Sequence, residues 1–249
     1  MNSLDQHSAA YTAAFAHYEE NRVVHEAYGR HLAQRIASGG QRSVLSLGIG
    51  HREVARQLIA GLGQSGFERY TIVDASAALL QALKDELPVQ PPGLELLEGW
   101  FESFEPVGCF DLIEAGFVLE HVEDPAVVLK RMHRFLTPCG SMFVAVPNAR
   151  SLHRLVGHHA GLLPDVYSLS EADRALGHQR YFDLPALEAL LGSCGWAVRQ
   201  VRGMLIKPFT TGQMAKLELS PAVWSALQVV AAELPAISNA IQVEVVPAR

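Results

Sequence analysis

The sequence predicts an α/β fold, a doubly wound and mostly parallel sheet of seven strands with helices on both faces. Short apolar segments alternate along the chain with longer segments whose apolar residues recur at helical spacing, a pattern typical of parallel strands joined by crossover helices. The chain has 249 residues, 49% of them hydrophobic, which is enough to bury the core of one domain. We therefore expect a single domain over residues 1–249.

The order of the elements follows from apolar periodicity and from turn residues. The first helix is predicted at 11–37, because its apolar residues recur at helical spacing, and Gly39-Gly40 ends it. Proline in the first turn begins the helix at 125–136, and Asp183 is expected to cap the helix at 184–194. Further helices are predicted at 53–62, 77–87 and 221–234, and strands at 43–47, 70–74, 94–97, 110–115, 141–146, 196–202 and 241–246.

Two segments are additions to a plain doubly wound sheet. Residues 1–40 form an N-terminal helical cap, and residues 149–180 form a helical insertion after the fifth strand. Tyr11, Tyr18 and His25 are spaced by seven, so they share one face of the first helix. Open α/β sheets bind ligands beyond the carboxyl ends of their strands. We expect both additions to reach that edge, the insertion as a lid and substrate-recognition surface.

Composition narrows the class of protein. The formal net charge is −6 and the pI is near 6.0, which disfavours binding to nucleic acid, because such proteins usually present a basic face. No run approaches the ~20 apolar residues of a membrane span, and the N-terminus lacks the pattern of a signal peptide. The cysteines show no metal-ligand spacing and are expected to be reduced thiols. We expect a cytoplasmic protein that binds neither nucleic acid nor membranes, and a homodimer remains open.

A glycine turn follows the first predicted strand, at Gly48-Ile49-Gly50. Glycine lets the backbone turn sharply and approach a ligand closely, and the next helix offers unpaired N–H groups at its start. Asp74 ends the second predicted strand, where an acid can accept hydrogen bonds from the ribose hydroxyls of a nucleoside-type cofactor or cap the following helix. Such turns occur in proteins that bind NAD, FAD or S-adenosylmethionine, so these residues alone leave the cofactor open.

The fourth predicted strand distinguishes these cofactors. It contains Phe110-Asp111-Leu112-Ile113 and is followed by Val118-Leu119-Glu120-His121-Val122-Glu123-Asp124-Pro125. With Val44-Leu45-Ser46-Leu47-Gly48-Ile49-Gly50 and Thr71-Ile72-Val73-Asp74, this segment resembles class I (Rossmann-like) S-adenosylmethionine-dependent methyltransferases. The resemblance runs over residues 43–148, and it implies a seven-stranded sheet whose last strand is antiparallel.

The resemblance implies S-adenosylmethionine as the cofactor and a set of residues that contact it. These residues are Gly48, Gly50, Asp74, Phe101, Glu102, Ala115 and Ser46. The glycines would pass under the methionine part and the ribose, and Asp74 would bind the ribose diol. The turn at 99–102 would face the adenine, while Ala115 and Gly116 would border the methionine and the sulfonium.

The chain departs from the family pattern at three positions. Ser46 stands where the family usually has an acid, and Arg52 stands where it has a third glycine. Trp100 stands where the family often has an aspartate that contacts the adenine. Ser46 can still bond to the cofactor through a water molecule. Trp100 can stack on the adenine, or the contact can pass to Glu102.

Three residues are candidates for catalysis: His178, His121 and Arg180. A poorly acidic acceptor needs a base, and histidine suits this role because its pKa lies near neutrality. His121 follows the fourth strand beside the expected sulfonium, where a structural role is equally open. His178 and Arg180 place a potential base and a carboxylate-binding cation at the mouth of the site, with helix-entry packing as the alternative. We expect no metal site, because no acid or cysteine completes a ligand set with the other histidines of 149–180.

The sequence therefore favours an enzyme that transfers a methyl group to oxygen, nitrogen or activated carbon of a small-molecule acceptor, such as a metabolite, a sugar or a natural-product intermediate. Two alternatives remain open. A nicotinamide-dependent oxidoreductase is disfavoured by the segment 119–125 and by the missing third glycine. A methyltransferase-like protein that binds without catalysis is favoured by Ser46 and Arg52.

Overall fold

The computed structural model describes residues 18–248, and the side chains of residues 21–248. Tyr11, the first turns of the predicted first helix and the side chain of Tyr18 lie outside these described residues. The strands are β1 (Ser43–Leu47), β2 (Arg69–Asp74), β3 (Leu94–Glu98), β4 (Phe110–Gly116), β5 (Leu136–Pro147), β6 (Trp196–Met204) and β7 (Ala240–Pro247). The α-helices are α1 (Tyr18–Gly39), α2 (Glu53–Gly61), α3 (Ala77–Glu86), α4 (Pro125–Met132), α5 (Leu152–His159), α6 (Glu171–Ala175), α7 (Leu184–Ser193), α8 (Thr211–Ala215) and α9 (Pro221–Glu233).

The seven strands form one sheet in the order β3-β2-β1-β4-β5-β7-β6. Strands β1 to β5 pair in parallel, and β7 pairs antiparallel with both β5 and β6. The predicted seven-stranded, mostly parallel sheet is thereby confirmed, as is its antiparallel last strand. The strand order reverses between β1 and β4, which is the place where open α/β sheets bind ligands.

Apolar side chains pack on both faces of the sheet. One cluster joins the sheet to α1, α2 and α3 through the buried side chains of Tyr28, Leu58 and Leu83. The other joins the sheet to α4 and α7 through Leu129 and Leu187. A sheet buried on both faces has strands that read as continuous apolar runs, which is why the sequence pattern located them. No helix among the described residues is long and apolar enough to cross a membrane.

Two elements differ from the sequence prediction. Strand β5 begins at Leu136, where the pattern predicts a start at residue 141. Leu136 pairs with Phe110, and a register shift follows in β4, so the polar residues before 141 lie in an irregular part of the strand. Helix α8 was not predicted, because five residues are too short to show helical periodicity. Its signal is the capping box formed by Thr210 and Gln213.

The insertion at 149–180 contains α5 and α6, and one buried arginine ties it together. Nε of Arg154 donates to the carbonyl oxygen of Val166 at 3.0 Å, and Nη2 donates to that of Ser168 at 2.6 Å. Nη1 donates to the hydroxyl of Tyr181 at 3.2 Å. These hydrogen bonds connect the beginning, the middle and the end of the insertion, and they fix its path over the edge of the sheet.

Candidate active site

A cavity of about 890 Å³ opens at the carboxyl edge of the sheet. The last residues of four strands line it, namely Leu47, Asp74, Gly116 and Pro147. Residues of α1 and of the insertion at 149–180 line it as well, so both additions reach this edge. Sites for small molecules usually enclose ~300–1,000 Å³. The cavity therefore has the position and the size of a small-molecule site.

The glycine turn forms one wall of the cavity. Gly48 and Gly50 adopt positive φ angles of 83° and 49°, a conformation that glycine adopts without steric penalty. A Cβ atom added to Gly48 would lie 3.6 Å from Cζ of Phe101 and 3.9 Å from Oδ2 of Asp74. A side chain at this position would fill the space between the turn, Phe101 and Asp74. Glycine thus keeps this part of the cavity open to a ligand.

Asp74 is buried where β1 and β2 end, and it lines the cavity. Its Oδ2 accepts a hydrogen bond from the backbone N–H of Ile49 at 2.9 Å, and its Oδ1 accepts one from Ser76 at 2.8 Å. The cap of α3 is Ser76, whose hydroxyl accepts from the backbone N–H of Leu79. Asp74 is therefore not the helix cap, and its two backbone bonds hold the carboxylate beside the glycine turn, as the ribose-binding role requires.

Strand β1 carries Ser46 where the family usually has an acid, and a buried acid, Glu114, stands on the neighbouring strand β4. The Ser46 hydroxyl lies 2.9 Å from that of Tyr70, and Ser46 is not among the residues that line the cavity. Glu114 is the register partner of Ser46 on the adjacent strand, and it does line the cavity. Its Oε1 accepts from the backbone N–H of Gly116 at 2.6 Å. Burial raises the pKa of Glu114 to about 7, against the lowering effect of hydrogen bonds from Ser46, Gly116 and Tyr28.

The end of β4 presents Gly116 to the cavity and Ala115 to the core. Ala115 is buried in the apolar cluster with α4 and α7, because successive side chains of a strand point to opposite faces. Of the two residues predicted to border the sulfonium, Gly116 lines the cavity and Ala115 does not. A Cβ atom on Gly116 would overlap the ring of Tyr28 and lie 2.7 Å from Oε1 of Glu114. Glycine is thus needed here so that α1 can pack over the strand end.

The turn at 99–102 contributes Phe101 to the cavity lining. Glu102 is partly buried and lies outside the lining, so its predicted contact with the adenine has no support in this geometry. The Trp100 side chain is about half exposed and also lies outside the lining. Phe101 is therefore the residue of this turn that is placed to pack against a ligand.

Arg52 stands at the position of the third glycine and keeps a glycine-like backbone. Its φ angle is 64°, a left-handed conformation that costs a residue with a Cβ atom ~1–2 kcal/mol. Its Nε lies 3.1 Å from Oε1 of Glu86 on α3. The turn thus has a left-handed backbone at this position, which suits glycine, although the residue is an arginine.

Glu120, His121 and His178 form a second cluster in the cavity wall. One potential ligand atom of each residue lies within 4.8 Å of those of the other two, and the imidazole rings meet edge to face. Glu120 is fully buried, and neither of its carboxylate oxygens has a hydrogen-bond partner within the described residues. Burial raises the pKa of Glu120 to about 7, while the charges of His178 and Arg180 act to lower it. The fold thus brings two predicted catalytic histidines together with an acid.

Asp173 faces His178 across a short contact between the carboxylate and the imidazole. Oδ1 of Asp173 lies 3.4 Å from Nδ1 of His178 and accepts from the hydroxyl of Tyr181 at 2.9 Å. Oδ2 accepts from the backbone N–H and from the hydroxyl of Ser170, both at 2.7 Å. Burial alone would raise the pKa of Asp173, but hydrogen bonds from His178, Ser170 and Tyr181 hold it well below its usual range. This carboxylate favours the tautomer of His178 that is protonated at Nδ1, which leaves Nε2 with its lone pair.

Arg180 holds the loop after β4 and does not face the cavity. Its guanidinium donates to three carbonyl oxygens of that loop, those of Leu119, Val122 and Glu123. The backbone N–H of Gln179 adds a hydrogen bond to the carbonyl oxygen of Glu120 at 2.8 Å. Arg180 is not among the residues that line the cavity, so its predicted role as a substrate-binding cation is corrected to a positioning role. Together these bonds hold His178 against Glu120.

Two further histidines line the cavity where α1 meets the glycine turn. The ring of His25 lies 4.9 Å from that of His51 and 4.3 Å from that of Phe117, measured between centroids. Burial lowers the pKa of His25 well below its usual value, and burial lowers the pKa of His51 to about 4. Both rings are therefore neutral at pH 7. His25 therefore packs against neighbouring rings, as the sequence analysis considered, and it also forms part of the cavity wall.

The important residues that the sequence analysis did not single out are acids, namely Glu114, Glu120 and Asp173. The sequence did offer a sign of Glu114, because this residue interrupts the apolar run of a strand that is buried on both faces. Glu120 was visible only as a neighbour of His121. Asp173 had no signal, since an acid in a polar helical segment is ordinarily a solvated one.

Comparison with known proteins agrees with this geometry. The sequence profile of the methyltransferase domain family matches residues 15–201. Trans-aconitate 2-methyltransferase of Azoarcus sp. is 25% identical over 195 residues, which cover 72% of this chain and 74% of that protein. Ubiquinone biosynthesis O-methyltransferase of Xanthomonas oryzae pv. oryzae is 32% identical over 111 residues, which cover 42% of this chain and 43% of that protein. The crystal structure of magnesium protoporphyrin IX methyltransferase from Synechocystis PCC 6803 with bound SAH has a TM-score of 0.62 at 12% identity, covering 98% of this chain and 94% of that one.

The strand order, the glycine turn and Asp74 define a class I fold of the kind that binds S-adenosylmethionine. The structural likeness, at 12% identity, shows the fold alone. The family profile covers more than half of the chain, and the chain belongs to the methyltransferase domain family as an S-adenosylmethionine-dependent methyltransferase. The alternative of a nicotinamide-dependent oxidoreductase is thereby removed.

Proposed function

We propose that the chain transfers a methyl group to an oxygen, nitrogen or activated carbon atom of a small-molecule acceptor. The observation that carries this proposal is one cavity lined by two chemically different sets of residues, which we assign to two ends. Gly48 and Asp74 form the end suited to the cofactor, and His121 and His178 stand at the end suited to the acceptor. Methyl transfer depends mainly on the alignment of the acceptor atom with the methyl group, and holding both reactants in one cavity supplies that alignment.

The residues at the cofactor end fit S-adenosylmethionine by shape and charge. The cofactor supplies a methyl group that is already activated on a positively charged sulfonium. Gly48 keeps the wall open, and the Asp74 carboxylate is held where it can accept hydrogen bonds from ribose hydroxyls. Glu114 adds a buried carboxyl close to the glycine turn, at the register position opposite Ser46. We assign to Glu114 the negative charge that balances the cationic methionine part, which Ser46 cannot supply.

The residues at the acceptor end can remove a proton. The contact with Asp173 leaves Nε2 of His178 with a lone pair, and histidine is suited to accept a proton near neutral pH. The insertion at 149–180 and α1 line the remaining walls, and we assign to the insertion the role of a lid that selects the acceptor and excludes water.

The nature of the acceptor is supported by charge and by the names of relatives. The net charge of −6 disfavours a polynucleotide acceptor. The relatives described above are named for trans-aconitate methylation and for ubiquinone biosynthesis, both of which concern small molecules. A small organic acceptor, bearing a hydroxyl, an amine or an acidic carbon, fits these observations.

Isothermal titration calorimetry tests the cofactor site. We expect S-adenosylmethionine and S-adenosylhomocysteine to bind at about micromolar Kd, which is ~8 kcal/mol of binding free energy. Asp74→Ala should weaken binding at least tenfold, whereas Asp85→Ala, which removes an exposed carboxylate from α3, should leave it unchanged. Absence of binding of either ligand to the folded wild type would refute the proposal. Binding without methyl transfer to any member of a broad acceptor panel would favour the non-catalytic alternative.

A further inference from the structure

Glu120 is a buried carboxyl that lacks the partner such a group needs. It is fully buried, and within the described part of the chain both of its oxygens are without a hydrogen bond. Buried carboxylates are normally paired with donors or coordinate a metal ion, since an unpaired one is strongly unfavourable. The potential ligand atoms of His121 and His178 lie within 4.8 Å of an oxygen of Glu120 and of each other. Two imidazoles therefore lie beside a buried carboxyl for which the described residues provide no donor.

We propose that Glu120, His121 and His178 bind one divalent cation of the zinc type, with an open coordination position that faces the cavity. Two imidazole nitrogens and one carboxylate oxygen are a ligand set of catalytic zinc sites and of other borderline divalent metals. Ligand atoms lie ~2.0–2.2 Å from zinc, so those around one ion are about 3–4 Å apart. The present spacing, within 4.8 Å, is at most about 1 Å wider than that value. The sequence-based expectation of no metal site changes because Glu120 completes the ligand set.

The groups around the cluster are those that stabilise a metal-binding histidine. A ligating histidine usually gives its other ring N–H to a carboxylate, which fixes the tautomer and the ring orientation. Asp173 is the carboxylate placed for this role: its Oδ1 lies 3.4 Å from Nδ1 of His178, and it is itself held by Ser170 and Tyr181. Arg180 fixes the loop that carries Glu120 and His121. Asp173 and Arg180 are positioning residues of the proposed site.

The charge of the site indicates what its open position would take. One carboxylate and two neutral imidazoles leave a divalent cation with a net positive charge, so an anionic oxygen ligand is favoured. A metal ion also lowers the pKa of a hydroxyl that it binds. With the cation bound, this effect takes the place of proton acceptance by His178, whose lone pair is then used by the metal. The acceptor class that fits is a small molecule whose hydroxyl or enol oxygen coordinates the cation. This role toward the acceptor rests on the proposed function, whereas the binding of the cation does not.

Cobalt titration in the absence of S-adenosylmethionine tests the site directly. Protein treated with EDTA is titrated with Co²⁺, and visible absorption reports the replacement of water by nitrogen ligands. We expect one Co²⁺ per chain, displaced by Zn²⁺, and loss of the signal in His178→Ala and Glu120→Gln. Asp173→Asn should weaken binding about 10–100-fold. His159→Ala, which removes an exposed histidine at the end of α5, should bind as the wild type does.

Circular dichroism shows whether each variant is folded. If a variant is not, measurements on the wild type alone still test the proposed cation site. Zn²⁺ at a hundredfold excess over its Kd should raise the melting temperature, because the ion binds the folded state. A Co²⁺ spectrum that stays that of the aqueous ion in folded wild type overturns the proposal. Equal loss of binding in His178→Ala and His159→Ala overturns it as well. Failure of the methyltransferase proposal would appear in the cofactor titration and leave these results unaffected.

Discussion

Glu114 provides a quantitative test of how the centre of the sheet is built. Glu114→Gln keeps the size of the side chain and its ability to accept from the backbone N–H of Gly116. Burial raises the pKa of Glu114 from 4.5 to about 7, so the folded protein keeps a proton that the unfolded chain has already lost. Between these two pH values the folded state binds more protons, and the free energy of unfolding must therefore fall as pH rises.

The magnitude follows from the pKa difference. At ~1.4 kcal/mol per pKa unit, a rise from 4.5 to about 7 corresponds to ~3 kcal/mol, most of which falls between pH 5 and pH 8. Glutamine carries no such proton. The free energy of unfolding of Glu114→Gln, relative to that of the wild type, should therefore be larger at pH 8 than at pH 5, by ~2–3 kcal/mol.

Urea unfolding of the cofactor-free protein, followed by circular dichroism at both pH values, measures this difference. The matched control is Glu188→Gln, which neutralises an exposed carboxylate on α7 and should give the same relative stability at pH 5 and pH 8. If the relative stability of Glu114→Gln is equal at the two pH values, within about 0.5 kcal/mol, then Glu114 is not a buried acid and the reasoning is wrong.

Three further predictions follow from the same contacts. If Glu114 balances the cationic cofactor, S-adenosylmethionine should bind about tenfold more tightly at pH 8 than at pH 6, and Glu114→Gln should abolish that dependence in calorimetry. Gly116→Ala should destabilise the fold by ~1–3 kcal/mol in urea unfolding, because its Cβ atom overlaps a ring of α1, whereas Gly192→Ala, with open space around it, should be neutral or slightly stabilising. Arg180→Lys should lose ~1–2 kcal/mol of stability and lower kcat, because lysine cannot reach several carbonyl oxygens at once, while Arg174→Lys should change neither.

The fold was predictable because its determinants are local in the sequence. Each strand is a short apolar run, and each crossover helix has a clear beginning or end, such as Pro125 at the start of α4. The glycine turn and Asp74 were predictable for the same reason, since each directly follows a strand of a parallel sheet. The carboxyl ends of such strands meet at one edge, so the place of the cavity followed from topology.

The details of the site were not predictable, because they depend on contacts between distant segments. Ser46 and Glu114 are paired only through the register of β1 with β4. Arg180 has the chemistry of a substrate-binding cation, and only the structure shows that its donors are used by carbonyl oxygens of another loop. Periodicity and motif spacing carry no information about such pairs.

The most direct test of the account is a crystal structure with S-adenosylhomocysteine bound. We predict that the ribose hydroxyls donate to the Asp74 carboxylate beside Gly48, and that the sulfur points toward the end of the cavity that contains His121 and His178. A ligand bound elsewhere, or one whose sulfur faces away from both histidines, would contradict the assignment of the two ends of the cavity.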